Sequence, residues 1–159
     1  MKLKLYCIEE DYIEFLRKYD KRVAYNKGSK RPYVGIVYTY EKNNYFAPLS
    51  SPKEKHKKLS RKNIDIFKIE NGNLGIININ NMIPCNMFVL TEILPSLEKS
   101  KYKTLLENQI EYINAHKEYL VHKIKLFMKR YKEKTLQKNI VDRCCNFELL
   151  ENIYNNYKI

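Results

Sequence analysis

The chain has 159 residues and a formal net charge of +12, with 30 Lys and Arg against 18 Asp and Glu. This length fits one ordinary domain, and the charge predicts a polyanionic partner: RNA, DNA or an anionic membrane surface, with nucleic acid favoured. No apolar run reaches the roughly 20 residues that cross a bilayer, and the polar start Met1–Tyr6 is too short for a signal peptide.

Composition also indicates which chemical groups are available. The 14 tyrosines and 6 phenylalanines provide rings that pack in a core or, for tyrosine, stack on unpaired bases. The cysteines lack C-x-x-C spacing and stand at Cys7, Cys85, Cys144 and Cys145. We therefore expect free thiols in a reducing cytoplasm, and neither a metal site nor a cofactor.

The first part of the chain alternates strand and turn patterns. Lys2–Cys7 alternates polar and apolar residues as a half-buried strand does, and Glu9–Asp20 has helical spacing after an acidic start. Pro32–Tyr40 is rich in β-branched and aromatic residues, and Tyr45–Leu49 returns as its partner strand. Pro48 cannot donate to a sheet ladder, so it predicts a sheet edge or the end of that strand.

Three further patterns complete the β-rich part. Asn71-Gly72 predicts a hairpin turn between strands at Ile64–Glu70 and Leu74–Ile79. Met82-Ile83-Pro84 breaks the strand pattern, and Phe88–Leu90 is a last short strand.

From about residue 101 the spacing becomes helical. One predicted face consists of Tyr102, Leu105, Leu106, Gln109, Ile110 and Ile113. The next consists of Leu120, Ile124, Phe127, Met128 and Tyr131. A change of phase near residues 114–116 predicts a kink, Thr135–Val141 a short helix, and Asn146 an N-cap for a helix over Phe147–Tyr154.

These elements predict an α+β fold in a single domain spanning residues 1–159. The β-rich core, about residues 1–93, is a small antiparallel sheet or partial barrel. The helical part, about residues 96–159, must bury its apolar faces against that sheet.

The segment most suited to chemistry follows the strand that ends near Leu49. Six Lys or Arg stand between residues 53 and 62, against one acid. Ser51 and Lys53 leave the strand while Pro48 and Pro52 stiffen the backbone around them. This pattern predicts a phosphate-binding rim. A turn followed by a solvated, solubilising lysine face fits the same spacing.

RNA carries its own nucleophile, the 2′-hydroxyl, so a ribonuclease needs mainly to align that group and to stabilise the phosphorane. In this interpretation Lys53 neutralises the scissile phosphate, and Ser51 hydrogen-bonds a non-bridging oxygen or the 2′-hydroxyl. Lys30 or Arg31, from the preceding basic loop, closes the other side. The products are a 2′,3′-cyclic phosphate and a 5′-hydroxyl, and no metal is needed.

Neighbouring side chains add predictions of RNA binding. His56 lies inside the lysine run and either binds phosphate, which we favour, or acts as a general acid or base. Tyr25 either contacts RNA or packs against the protein. The predicted RNA-binding side chains are Lys27, Lys55, His56, Lys57, Lys58, Arg61 and Lys62.

Four segments, in this order, resemble the endoribonuclease toxins of type III toxin–antitoxin systems, the ToxN/AbiQ/CptN family. They are Pro32–Val37, Phe46–Lys53, Met82–Pro84 and Cys145–Glu151. The resemblance covers essentially the whole chain. Ser51 and Lys53 match the family's catalytic hydroxyl and lysine, and Ser50 stands where relatives often have Thr. Tyr25 and one cation, Lys30 or Arg31, match further positions of the family's site.

The resemblance implies a compact, strongly twisted MazF/Kid-like sheet and metal-independent cleavage of single-stranded, often A-rich RNA. It also implies a small antitoxin RNA made of pseudoknot repeats, which the toxin cuts and then binds in an alternating ring such as 3:3. The substrates would be cellular and phage RNA. The biological role would be phage abortive infection or plasmid maintenance.

Two other functions fit the composition. A non-catalytic RNA- or DNA-binding module would use the same basic surface and tyrosine stacking. A peripheral membrane protein is disfavoured, because the helical part also carries Glu107, Glu111 and Glu118.

Overall fold

The structure, a computed structural model, describes residues 1–158. Its strands are β1 Lys4–Ile8, β2 Tyr33–Tyr40, β3 Asn43–Ser50, β4 Ile66–Lys68, β5 Ile76–Asn78, β6 Ile83–Pro84 and β7 Leu90–Glu92. Its α-helices are α1 Glu10–Tyr19, α2 Glu54–Lys58, α3 Lys101–Ala115, α4 Lys117–Lys132, α5 Lys138–Arg143 and α6 Phe147–Ile153.

The strands form one open, antiparallel sheet. Their order is β4-β5-β3-β2-β1-β7, and β6 pairs with β3 on the edge that also carries β5. The helices that follow β7 pack their apolar faces on the core, through buried residues such as Leu106, Ile113, Ile124 and Phe127. The predicted α+β class, an antiparallel sheet flanked by helices, is confirmed.

Pro48 lies inside β3 rather than at its end, so the predicted position was wrong. The N–H of Leu49 donates to the carbonyl oxygen of Pro32, toward β2, at 2.9 Å. Because strand backbones alternate, the Pro48 nitrogen faces the opposite edge of β3. There β6 pairs at Phe46 and β5 pairs at Leu49, so the proline falls between two partners and interrupts neither ladder.

The Met82-Ile83-Pro84 prediction was also wrong, because Ile83–Pro84 is itself strand β6. Ile83 pairs with Phe46 and Pro84 with Tyr45. Phe88 lies in a 3₁₀ turn, and the last strand starts only at Leu90. A two-residue strand pairs through neighbours that are remote in sequence, which local pattern cannot show.

The hairpin around Asn71-Gly72 is present, with shorter strands than predicted. Phe67 of β4 pairs with Ile77 of β5. The chain turns through Glu70, Asn71 and Gly72 at φ angles of 48°, 56° and 90°. These left-handed conformations suit Asn and Gly, and they bring the turn against helix α2.

The helical part agrees with the sequence patterns except in one place. Helices α3 and α4 are separated at His116, where the kink was predicted. The side chain of Asn146 accepts a hydrogen bond from the N–H of Leu149, so it is the N-cap of α6. Helix α5 runs over Lys138–Arg143, displaced toward the C-terminus from the predicted Thr135–Val141. Within residues 1–158, no helix is long and apolar enough to cross a membrane.

Candidate functional site

A cleft of about 460 Å³ lies where the basic loop before β2, the end of β3 and helix α3 meet. Lys27, Lys30, Arg31 and Ser51 line it, and we call these four residues the basic rim. Ile93, Leu97, Leu105 and Leu106 line it as well, and we call them the apolar wall. The cleft therefore brings together three predicted cations and one predicted hydroxyl from two separate segments.

The loop that carries the basic rim is held in a fixed conformation. The buried Asn26 donates from its side-chain nitrogen to the carbonyl oxygen of Ile8 at 2.7 Å. The carbonyl oxygen of Asn26 accepts from the N–H groups of Lys30 and Arg31 at 3.0 and 3.1 Å. Glu10 accepts from the N–H of Ser29 at 2.9 Å. These contacts tie the loop to β1 and α1, so the cations project from a rigid base.

Arg31 connects the basic loop to the end of β3. Its Nε donates to the carbonyl oxygen of Tyr25 at 2.6 Å, and its Nη1 donates to the carbonyl oxygen of Leu49 at 3.2 Å. Guanidinium groups have five N–H donors, so others remain to face an anion in the cleft. The guanidinium is thereby fixed two residues from Ser51.

Tyr25 lies beside this bridge rather than in the cleft lining. Its ring is 68% exposed, and the guanidinium carbon of Arg17 lies 3.7 Å from the ring centroid. One ring face is therefore occupied by a cation–π contact. The exposure leaves the rest of the ring accessible to RNA.

The two adjacent serines differ in their surroundings. The hydroxyl of Ser50 accepts from the side-chain nitrogen of Asn78 at 2.8 Å, which engages it across β3 and β5. Ser51 is exposed and lines the cleft. Gly75, at φ 98°, lies so close that a Cβ there would be 2.1 Å from the Ser50 carbonyl oxygen. The Ser50 hydroxyl thus links β3 to β5, whereas Ser51 lies in the cleft lining.

Lys53 is exposed but is absent from the cleft lining, and His56 holds its backbone. The N–H of Lys53 donates to Nδ1 of His56 at 3.2 Å, and the carbonyl oxygen of Lys53 accepts from the N–H of His56 at 3.0 Å. These reciprocal bonds start helix α2, where the sequence pattern indicates only a turn and a solvated lysine face.

The favoured prediction that His56 binds phosphate does not fit its position. The side chain is 1% exposed. Burial, with the nearby charges of Lys55 and Lys53, lowers the pKa of its imidazole. A neutral, buried ring whose Nδ1 accepts a backbone hydrogen bond positions Lys53 instead of contacting RNA.

Helix α2 is anchored at its other end as well. The Lys68 ammonium donates to the carbonyl oxygens of Lys57 and Leu59 at 2.9 and 2.8 Å. Gly72 packs on the backbone of His56, where a Cβ would be 2.7 Å from its carbonyl oxygen. The β4–β5 hairpin therefore supports the segment that carries Lys53.

The other predicted RNA-binding side chains fall into two groups. Lys55, Lys57 and Lys58 are exposed on α2, with Lys57 paired to Glu54 at 3.1 Å. Arg61 and Lys62 line a separate groove of about 410 Å³, which α4 also lines. The lysine run is therefore a solvated face that leads away from the cleft, not part of its wall.

Sequence reasoning missed the residues of α3 that line the cleft. The helical spacing predicts Tyr102 and Gln109 on a face that packs against the core. In the structure both residues line the cleft. The available signal was a glutamine within an otherwise apolar and aromatic face. Among residues 1–158, no three His, Cys, Asp or Glu side chains are grouped as a metal site, and the four cysteines are unpaired thiols.

The arrangement suits a phosphodiester. Positive side chains and a hydroxyl that come from rigid elements can bind non-bridging oxygens and stabilise additional charge on them. An apolar wall next to them suits the base or the ribose of the same nucleotide. The fold and site together define a basic α+β protein with a nucleotide-sized cleft.

Comparison with known proteins gives the family. The sequence profile described as toxin ToxN, type III toxin-antitoxin system, matches residues 4–155. The chain therefore belongs to the ToxN toxin family. The endoribonuclease ToxN of Pectobacterium atrosepticum is 29% identical, over 98% of this chain and 94% of that protein.

Two solved structures share the fold. AbiQ, a lactococcal anti-phage endoribonuclease of a type III toxin–antitoxin system, superposes with a TM-score of 0.85 at 28% identity, covering 99% of this chain and 98% of that one. A type III toxin selectively inhibited by a non-coding RNA pseudoknot superposes with a TM-score of 0.79 at 26% identity, with 99% and 98% coverage.

Proposed function

We propose that this protein is a single-domain endoribonuclease toxin of a type III toxin–antitoxin system. It cleaves single-stranded, A-rich RNA of the cell or of a phage without a metal ion. The observation that carries the proposal is the basic rim, where Ser51 and three cations share one cleft in a chain of the ToxN family. The named relatives are endoribonucleases, which supports the same activity.

In the proposed reaction the ribose 2′-oxygen attacks the phosphorus and the 5′-oxygen leaves. The 2′-hydroxyl gives up its proton, and the departing 5′-oxygen gains one. The products are a 2′,3′-cyclic phosphate and a 5′-hydroxyl end. The attack converts the phosphodiester into a phosphorane whose non-bridging oxygens carry additional negative charge, so catalysis depends on fixed positive charge and alignment.

The residues divide these tasks by position. Arg31 and Lys30 hold the phosphate from the loop side, and the hydroxyl of Ser51 hydrogen-bonds a non-bridging oxygen or the 2′-hydroxyl. Lys53 neutralises the phosphate from the other side, after rotation of an exposed side chain. Two hydrogen bonds with His56 fix the Lys53 backbone. The lysine side chain therefore extends toward the phosphate from a fixed backbone position.

We also propose that a pseudoknot antitoxin RNA inhibits the protein, as reported for the related toxin. The exposed lysines of α2 supply charge for such a large polyanion. Toxin and RNA would alternate in a closed ring such as 3:3, in the cytoplasm. The role would be phage abortive infection or plasmid maintenance.

The test is incubation of the pure protein with single-stranded RNA in excess EDTA, followed by analysis of the ends. The proposal predicts 2′,3′-cyclic phosphates, and Lys53→Ala protein purified in parallel should cut the same RNA about 10²–10³-fold more slowly. Bound but uncut RNA would instead favour a non-catalytic nucleic-acid-binding module. The solvated lysine face alone would be sufficient for that function.

A further inference from the structure

The proposed chemistry uses the basic rim and leaves the rest of the cleft without a role. That remainder includes the apolar wall together with Tyr102 and Gln109 of α3. A phosphate alone gains nothing from leucine and isoleucine side chains. The cleft volume of about 460 Å³ is in the range that small-molecule ligands occupy, so a whole nucleotide fits its mixed chemistry better than a phosphate does.

Gln109 is the unusual residue of this part. Its side chain is 2% exposed, and its Nε2 donates to the carbonyl oxygen of Leu74 at 2.8 Å. Its amide oxygen, Oε1, is buried with no hydrogen-bond partner among the described residues. Buried polar atoms are nearly always paired in folded proteins, so an orphaned acceptor beside a cleft points to a ligand that brings a donor.

Tyr102 supplies a second, independent feature. The residue is 45% exposed where it lines the cleft together with the apolar wall. Partial burial raises the pKa of its phenol, so the hydroxyl is neutral at physiological pH. An exposed aromatic ring at the mouth of a cleft is the typical platform on which an unpaired base stacks.

We propose that this cleft is a base-recognition pocket, in which an unpaired, amino-bearing base stacks near Tyr102 and donates its exocyclic N–H to Oε1 of Gln109. Adenine carries such an exocyclic amino group, and because Nε2 is engaged by the Leu74 carbonyl, Oε1 is the atom that accepts from it. The base belongs to the nucleotide whose phosphate binds the basic rim. Gln109 is then a specificity-determining residue.

This inference rests on the proposed function, so its test uses binding while cleavage is measured separately. The binding protein is the Lys53→Ala variant, and the probes are short RNAs in which each adenine in turn is replaced by purine, which lacks the amino group. At one position the replacement should weaken binding about tenfold or more, because the acceptor is again left unpaired. In Lys53→Ala/Gln109→Leu protein the same replacement should have less than about a twofold effect.

Tyr102 gives a check that does not depend on Gln109, whose replacement also frees the Leu74 carbonyl and can disturb folding. In the Lys53→Ala background, Tyr102→Ala should weaken binding about five- to hundredfold, the range for lost base stacking. Tyr102→Phe should keep the affinity. An abasic nucleotide at the position that responds to loss of the amino group should abolish the difference in affinity between Tyr102→Ala and Tyr102→Phe.

The outcomes separate the two proposals. If no position responds to loss of the amino group, or if the response is unchanged in a folded Gln109→Leu protein, the pocket assignment is wrong even where the wild type cleaves RNA. If the binding responses appear while the wild type leaves all RNA intact, the pocket stands and the nuclease proposal fails.

Discussion

The backbone N–H of Lys53 donates to Nδ1 of the buried His56 at 3.2 Å, and this bond fixes where the proposed catalytic lysine leaves the fold. The imidazole is 1% exposed, so its role is exerted through Lys53. Lys53 itself has an exposed side chain and immediately precedes the short helix α2. The position of the Lys53 backbone therefore depends on a buried side chain.

Removing the acceptor of this bond should slow cleavage more than it weakens binding. His56→Leu keeps the buried volume apolar but leaves the Lys53 N–H unpaired, at a cost of about 1–3 kcal/mol in local stability. We expect kcat to fall about tenfold or more, with KM changed by less than about threefold. His56→Asn places an oxygen near the position of Nδ1 and should recover much of kcat. Equal loss in both variants would show that only the ring volume matters.

The same histidine predicts a stability change with pH. Its pKa is lowered in the folded protein, mainly by burial, so the unfolded chain binds a proton at a higher pH than the folded one. The contribution of neutral His56 to the free energy of unfolding is complete above the ordinary pKa of 6.5. It is lost as the pH falls through the lowered pKa of the folded protein. Wild type should therefore lose more stability than His56→Leu between pH 7.5 and about pH 5, measured by urea unfolding. Parallel pH curves for the two proteins would contradict this.

Ser51 and Lys53 are exposed, so their truncation should affect chemistry without affecting the fold. Ser51→Ala and Lys53→Ala should each lower the single-turnover cleavage rate about 10²–10³-fold, the usual cost of one positioned donor or charge, with thermal unfolding unchanged. Lys58→Ala, on the solvated face of α2, is the matched control. It should keep the rate at saturating RNA and reduce only the salt dependence of binding, by about one phosphate contact.

Gly75 should be essential to the shape of the strand exit. Its φ is 98°, and a Cβ would lie 2.1 Å from the carbonyl oxygen of Ser50. Gly75→Ala should lower the free energy of unfolding by about 3 kcal/mol or more, because it strains the backbone and displaces β3. Gly28→Ala is the control, because Gly28 also has a positive φ, 65°, but nothing lies within 4 Å of its added Cβ. That change should cost only about 1 kcal/mol, as measured by chemical denaturation.

The sequence predicted the elements that depend on local pattern. Alternation over Lys2–Cys7, the helical faces after residue 101 and the Asn146 cap all depend on neighbours within a few positions, and all are present. Ile83–Pro84 and the interior position of Pro48 depend on which strands meet, which no short window contains. Pro48 is tolerated because β3 changes partners at that point.

The part of the site that depends on charge and residue spacing could be predicted from the sequence. Lys27, Lys30, Arg31 and Ser51 were identified from two basic or hydroxyl-bearing segments, and the fold brings them to one cleft. His56 was misjudged because a histidine among lysines looks exposed, whereas the Gly72 turn packs against its backbone. Gln109 was overlooked because an orphaned amide oxygen is a property of the folded core, not of the helix that carries it.

In the proposed reaction the ribose itself provides the nucleophile while the protein holds the phosphate. The most direct measurement is cleavage of two RNAs that differ only in a 2′-deoxy substitution at the ribose 5′ to the scissile phosphate, with binding measured in parallel. We predict that the substituted RNA binds within about threefold of the unmodified RNA and is not cut at that bond. Cleavage of the deoxy bond at a comparable rate would contradict the account, because another nucleophile would then be attacking the phosphorus.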